Sequence, residues 1–445
     1  MNPKTIRWLP LMPLLLLALA SPAGAMAQTP TPASDSLSLG RLYRMAAARD
    51  ARSGQAALND AGLQLRLRNL SAGWLPKFSL TGQARYQSDV PSFQPTGAAA
   101  APAGTFPTVP KDSYEAAFGV RQTLYDAGQT AARREVERAR TAERQAELTS
   151  TLYALRREVD GAYFGALALA ARIDETELLI EDLASRLAEA RSRAAAGVSL
   201  SGEPAAIEAE VLRAGQRVDE LRARRRAALT VLASLTGLPP GDPDLPLPDL
   251  EPLVAAVRAE PPGRSHPAFA AFDAIAARLA RESALTGRQR LPTLAAFGEA
   301  GYARPGLNIF GDAWDTYWLG GVRFEWAPWN WGSIGREQAL LALSREAVEL
   351  ESEALAAALD RSSTDDAENI DRLLVALDSD QRIIALRETV ERQTARRLAE
   401  GVVTAAAYVD VRNDLLEARL AHRLHRIELA EARARYLTTV GVDIP

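Results

Sequence analysis

Apolar and polar residues follow two different periods along this chain, and the periods divide it into two kinds of segment. The first kind is short and alternating. Phe78, Leu80, Gly82, Ala84 and Tyr86 alternate with Lys77, Ser79, Thr81, Gln83 and Arg85. Later, Trp314, Thr316, Trp318, Gly320, Val322, Phe324 and Trp326 alternate with Asp315, Tyr317, Leu319, Gly321, Arg323 and Glu325. A period of two with one apolar and one polar face predicts a strand between a greasy and a wet environment. Four such strands are expected, at about 76–88, 113–125, 291–303 and 314–327. The second kind is long. Leu148, Leu152, Leu155, Val159, Ala162, Ala166, Leu169 and Ile173 recur at spacings of four and three, and after Thr176 the pattern continues through Ile180, Leu183, Leu187, Ala190 and Ala194. It restarts as Ile207, Val211, Ala214, Val218 and Leu221, then Ala228, Leu232 and Leu235, with Arg225 as its polar member. Such a repeat lays one seam along a helix, so two of these helices joined by a glycine turn are expected to zip into an antiparallel coiled coil. A helix from Gly128 to Gly197 would reach roughly 100 Å at about 1.5 Å per residue.

The pattern is written twice. Gly128, Gly197 and Gly237 are matched by Gly332, Gly401 and Gly441, each at an offset of 204, and the stretch Asp50–Pro76 has the length of His266–Pro292. The expected organisation is a first repeat over 28–237 with its helical tip at 197, a Pro-rich linker over 238–262, and a second repeat over 263–445 with its tip at 401. The second repeat carries a weaker seam, because Arg361–Asp366 reads RSSTDD where apolar residues are due. That run is either plain surface or the lining of a wet interior.

Composition narrows the function classes. Lys4 and Arg7 precede the apolar run Leu9–Ala20, and Ala25-Met26-Ala27 offers a cleavage site, so residues 1–27 read as a secretory signal. No later stretch is long and apolar enough for a membrane helix. The chain has no cysteine, which removes disulfides, thiol catalysis and a lipid-modified Cys. A net charge of -4 recruits no nucleic acid, and the basic run Arg222–Arg226 reads as a solvated helix face. Outside the signal, every tryptophan (Trp74, Trp314, Trp318, Trp326, Trp329 and Trp331) lies in or beside an alternating segment. A strand on a soluble core gives the same alternation, but clustered Trp is the mark of a membrane interface and favours transmembrane barrel strands. Four strands cannot close a barrel, and an open edge in lipid leaves backbone groups unpaired, so several chains are expected to share one. A dimer is the minimum; a trimer would give twelve strands.

In its two repeats, its LYDAG and PWNWG at the strand-to-helix junctions, its glycine tips and its Pro-rich link, the chain resembles the outer membrane efflux protein family, the TolC-like channels. The resemblance implies a mixed architecture, an all-α tunnel joined to a transmembrane β-barrel. It implies a homotrimer with a twelve-stranded barrel in the outer-membrane lipid of a Gram-negative bacterium and a helical barrel crossing the periplasm. The partners it implies are a periplasmic adaptor protein and an inner-membrane pump or exporter. Gly128 and Gly332 would be the points where membrane strand becomes tunnel helix. Gly197 and Val198, with Gly401 and Val402, would form the adaptor-contacting tips. The family often places acids six and nine positions after the second tip glycine; here those positions are Ala407 and Asp410. Asp410 is thus the candidate pore constriction, with Glu203 of the first tip as a possible complement.

Other chemistry is sparse. His422 and His425 form H-x-x-H without a metalloprotease context, so packed histidines are the expected reading and a metal pair the minor one. His266, before Pro267, reads as a helix start. The sequence has no phosphate loop, dinucleotide fingerprint or nucleophile elbow, so no enzyme activity and no cofactor is expected and transport energy must come from a partner. The alternative is a periplasmic adaptor or coiled-coil tether, which would need one hairpin flanked by soluble β domains.

Overall fold

A computed structural model describes residues 37–90, 109–196, 202–260, 263–308 and 312–445. The signal sequence and the first tip, with Gly197 and Val198, lie outside the described residues, and the side chain of Glu203 does too. In chain order the elements are α1 (Leu39–Arg49), α2 (Gln55–Ala72), β1 (Lys77–Tyr86), β2 (Asp112–Tyr125), α3 (Gln129–Tyr153), α4 (Leu155–Ala195) and α5 (Gly202–Thr236). The second half follows with α6 (Glu251–Ala259), α7 (Pro267–Arg288), β3 (Thr293–Arg304), β4 (Asp315–Glu325), α8 (Ser333–Ala399) and α9 (Ala405–Thr439).

The heptad seam is what packs α4 on α5. Leu155, Val159, Ala162, Ala166, Ile173, Leu183, Leu187 and Ala190 are buried on one helix, and Ile207, Ala214, Val218, Leu221 and Leu232 on the other. The expectation of one unbroken helix from Gly128 needs correction: it is interrupted at Ala154, which divides α3 from α4. Its counterpart α8 runs 67 residues without a break, about 100 Å at 1.5 Å per residue. The largest apolar cluster joins α1, α4, α5, α6, α8 and α9 around Leu42, Val159, Tyr163, Phe164, Leu373 and Leu437. A second cluster, near the tips, gathers Leu183, Leu187, Ile207, Leu398 and Tyr408.

Local signals set the helix starts. The Ser38 hydroxyl accepts from Arg41 N–H at 3.3 Å. His266 caps α7, its Nδ1 accepting from Ala268 N–H at 3.3 Å with Pro267 in the first turn, as the sequence led us to expect. The segment 238–262 is not irregular throughout: Glu251–Ala259 forms α6, since Pro252 sits in the first turn where no amide donor is needed and Val254 and Val257 gain burial. The rest of that segment is held by buried Leu245 and Leu250 and by the Tyr163 hydroxyl, which donates to the Pro246 carbonyl.

The strands form one antiparallel sheet in the order β1-β2-β3-β4. β1 and β4 are its edges, and no strand pairs with either outer side among the described residues.

Candidate functional site

Register gives the sheet two unlike faces. Phe78 lies opposite Val120, Leu80 opposite Phe118 and Ala84 opposite Tyr114; Ala300 lies opposite Trp318, Ala296 opposite Val322 and Leu294 opposite Phe324. These residues share one face, and it is open: Leu80 is 83% exposed and Trp318 80%. Four strands of contiguous apolar surface without a cover are far more than a soluble monomer exposes. The opposite face carries Lys77, Ser79, Thr81, Gln83, Arg85, Glu115, Arg121, Glu299, Arg323 and Glu325. There the Tyr317 hydroxyl lies 2.8 Å from a Glu299 carboxylate oxygen and also contacts Glu115, and its ring lies flat over Gly301, where a Cβ would come within 2.5 Å of it.

Aromatic rings collect at both ends of the sheet. Trp314 stacks on Tyr302 at 4.9 Å and on Tyr114 at 6.0 Å beside the β3–β4 connection. At the helix end, Trp329 and Trp331 meet edge to face at 5.8 Å, Trp326 Nε1 donates to Arg290 O at 3.0 Å, and half-buried Trp74 precedes β1. Twelve residues separate Trp314 from Trp326. At about 3.3 Å per residue and a tilt of about 45°, that is roughly 28 Å of height, close to a hydrocarbon core of about 30 Å. Trp318 stands inside β4 on the apolar face, four residues from Trp314.

The two strand-to-helix junctions are copies. Ala127 and Trp331 both have φ +54, and the following Gly128 and Gly332 have φ +74 and +73. Two consecutive left-handed residues reverse the strand into the helix, and glycine takes the second place without a Cβ penalty. A short polar side chain caps each turn: Asp126 accepts from Gly128 N–H at 2.9 Å and Thr130 N–H at 2.7 Å, and Asn330 accepts from Gly332 N–H at 3.1 Å. Burial alone would raise the Asp126 carboxyl, but the Thr130 and Gly128 bonds outweigh it and hold the group below its ordinary range. An arginine closes each turn, Arg288 on Ala127 O at 3.0 Å and Arg336 on Trp331 O at 2.9 Å. Ala127 and Trp331 are 204 apart, so the repeat offset that located the glycines contained this signal as well.

Below the sheet, α2 packs on α3, α3 on α7, and α7 on α8, which puts α2 and α8 beneath the two sheet edges. Both present uncovered leucines, Leu58 and Leu65 on α2 and Leu340, Leu343 and Leu350 on α8. The basic run Arg222–Arg226 is tied into ion pairs, Arg222 with Glu177 at 2.6 Å and Arg224 with Glu220 at 2.5 Å.

At the second tip, Gly401 takes φ +74 and Val402 N–H bonds back to Arg397 O at 2.8 Å, a glycine-closed helix end. Val402 is exposed, and the Thr404 hydroxyl starts α9 by accepting from Ala407 N–H at 3.2 Å. Asp410 is exposed on α9 and makes no ion pair among the described residues. One turn away, a polar cluster that the sequence did not single out ties the hairpins together. The buried Tyr408 hydroxyl lies 2.9 Å from Glu391 of α8 and 3.0 Å from Arg186 of α4, and Arg412 stands 3.3 Å from Asp182. His425 Nδ1 lies 2.7 Å from the buried Asp380 carboxylate and His422 Nδ1 3.9 Å from it. No group of three such side chains among the described residues is arranged to hold a metal ion. Of the polar run Arg361–Asp366 only Asp366 is buried; with exposed Ser362 and Asp365 it lines a cavity of about 710 Å³.

A model of the outer membrane efflux protein family matches residues 41–238. No curated protein matches the chain by sequence. Among solved structures, the chain is similar to CusC, a protein that forms a transmembrane channel, with a TM-score of 0.66 at 12% identity over 92% of this chain and 93% of that one. It is similar to the CmeC outer membrane channel of Campylobacter jejuni, with a TM-score of 0.62 at 12% identity over 96% and 94%. For the outer membrane protein VceC of Vibrio cholerae the TM-score is 0.63 at 14% identity over 92% and 97%. These likenesses establish the fold over both halves. The family model thus covers residues 41–238, and the likeness to solved outer-membrane channels carries the same fold through the second half.

Proposed function

We propose that three copies of this chain form the outer-membrane duct of a tripartite efflux or secretion system, a passive exit for substrates handed on by an inner-membrane transporter and a periplasmic adaptor. The observation that carries the reading is the uncovered apolar face on a sheet with two unpaired edges. In lipid the face is stable, but each edge would leave a row of amide and carbonyl groups unsatisfied. The edges differ, β1 from β4 and α2 from α8, so pairing β1 of one copy with β4 of the next is a heterologous contact that closes as a ring. Three copies of a four-stranded sheet supply twelve strands, and the leucines on α2 and α8 are covered by the same contact. The polar face then lines the barrel, and the helices continue it as a periplasmic tunnel.

Within that duct, Gly401 and Val402, with Gly197 and Val198, offer the turns to the adaptor. Asp410 faces its own copies at the narrow end, and like charges brought together there repel unless a cation lies between them. Sedimentation of the protein in mild detergent, followed by reconstitution in a planar bilayer, tests the reading. We expect a three-chain particle that conducts; a strictly monomeric, non-conducting species refutes it.

A further inference from the structure

Midway along the helices the two repeats differ in a way that repeat symmetry does not explain. At Ala154 the helix is pinched: Ala154 N–H reaches Ser150 O at a long 3.3 Å, and Arg157 N–H bonds Ala154 O only three residues back. α8 has no such interruption. Against the pinch lies the cavity of about 710 Å³, lined by Arg157 and Asp160 of α4, Asp365 and Asp366 of α8, and Glu431 and Arg435 of α9. Four carboxyl groups face two guanidinium groups, and the pairing is loose: Arg435 stands 4.0 Å from Asp366 and 3.8 Å from Glu431. Asp366 accepts from the Thr439 hydroxyl at 2.9 Å, and buried Asp160 accepts from the Tyr43 hydroxyl of α1.

Other charged and titratable groups surround the cavity. Arg156 stacks 4.0 Å over the Tyr153 ring and pairs with Asp443 near the end of the chain. His266 lies at the rim, its ring 5.1 Å from Tyr153, and Glu428 stands near Glu431 on α9. Burial pushes the Asp160 carboxyl up to about 7, although the Tyr43 bond pulls it down; burial also raises Asp366 and Glu431 and lowers His266.

We propose that this cavity is a proton-sensitive hinge: with its carboxyls protonated, α3 and α4 run straight along α7 and α9, and with them charged the helix gives way at Ala154. Charged carboxylates crowded in a poorly polarisable space repel one another and draw in water. The resulting strain concentrates where a helix already lacks a full set of bonds, and unbroken α8 resists it. The Tyr43–Asp160 and Arg156–Asp443 contacts pass the change to α1 and to the last residues of the chain. The sign follows from Asp160: a carboxyl raised from 3.8 to about 7 binds its proton better in the packed form, so packing is favoured as pH falls from about 7 towards 4 and flattens above 7.

Amide hydrogen exchange of the full-length protein in detergent, corrected for the intrinsic pH effect, tests this over residues 148–166. The gap between 3.8 and about 7 corresponds to up to about a thousandfold in one opening equilibrium, and we expect the segment to open at least about tenfold more at pH 8 than at pH 5.5. Asp160→Asn and Glu431→Gln keep the shape and remove one charge each: the first should hold the pH 8 opening near the pH 5.5 level, and the second, which leaves Asp160 titrating, should reduce the pH effect in part, while residues 340–352 of α8 stay unchanged. If Asp160→Asn fails to fold, Glu431→Gln alone gives the reading. Equal opening at both pH values in the wild type, or a full pH effect surviving in Glu431→Gln, overturns the proposal.

Discussion

Gly237 and Gly441 occupy equivalent repeat positions and have nearly the same backbone, φ +80 and +81, so substituting each with alanine separates two costs that usually arrive together. The first is intrinsic: an L-residue held left-handed costs about 1–2 kcal/mol, and both positions bear it equally. The second depends on neighbours. A Cβ at 237 would meet the Arg49 side chain, Cδ at 3.0 Å and Nη1 at 3.2 Å, and a flexible arginine can swing aside at the loss of its bond to Ser234 O. A Cβ at 441 would lie 2.4 Å from His266 N and 2.6 Å from its Cα, and backbone at the start of α7 cannot yield without moving the helix. Overpacking of that kind costs about 1–3 kcal/mol more, and occasionally exceeds it. Gly237→Ala should therefore destabilise by about 1–2 kcal/mol and Gly441→Ala by about 3 kcal/mol or more. Thermal melting followed by circular dichroism at the helical minimum, in one detergent and at one protein concentration, ranks the two. Equal midpoints, or a lower one for Gly237→Ala, would show that the close approach at 441 is not made.

Asp410→Ala should raise single-channel conductance or abolish its block by added cations, and identical bilayer recordings would remove Asp410 from the constriction. Tyr408→Phe keeps the ring that Arg186 stacks on at 4.6 Å but strands Glu391 and Arg186, a loss of about 1–2 kcal/mol visible as a lower melting midpoint; an unchanged midpoint would mean the cluster does not join the hairpins. Asp126→Ala should cost about 1 kcal/mol as a lost cap. Because the folded Asp126 carboxyl sits below its ordinary value, its contribution is present above about pH 4 and disappears as the pH drops below 3.8, so the wild-type advantage over Asp126→Ala should shrink in acid.

Much of the fold was legible in the sequence because it rests on periodicity. The period of two named the faces of β1 and β4, and the spacing of three and four named the α4–α5 seam, since a side chain's direction on a strand or helix depends only on its place in the chain. The offset of 204 likewise located the left-handed glycines, which recur at equal φ because the same reversal is made twice. Convergence of distant residues was not legible. Asp380 beside His425 and Asp160 beneath Tyr43 are contacts between elements far apart in the chain, and α6 forms in a Pro-rich stretch because buried Val254 and Val257 outweigh the prolines around them. The polar run Arg361–Asp366 could not be assigned to surface or interior from its own residues. Its role depends on what α4 and α9 bring opposite it, and only the packed helices decide that.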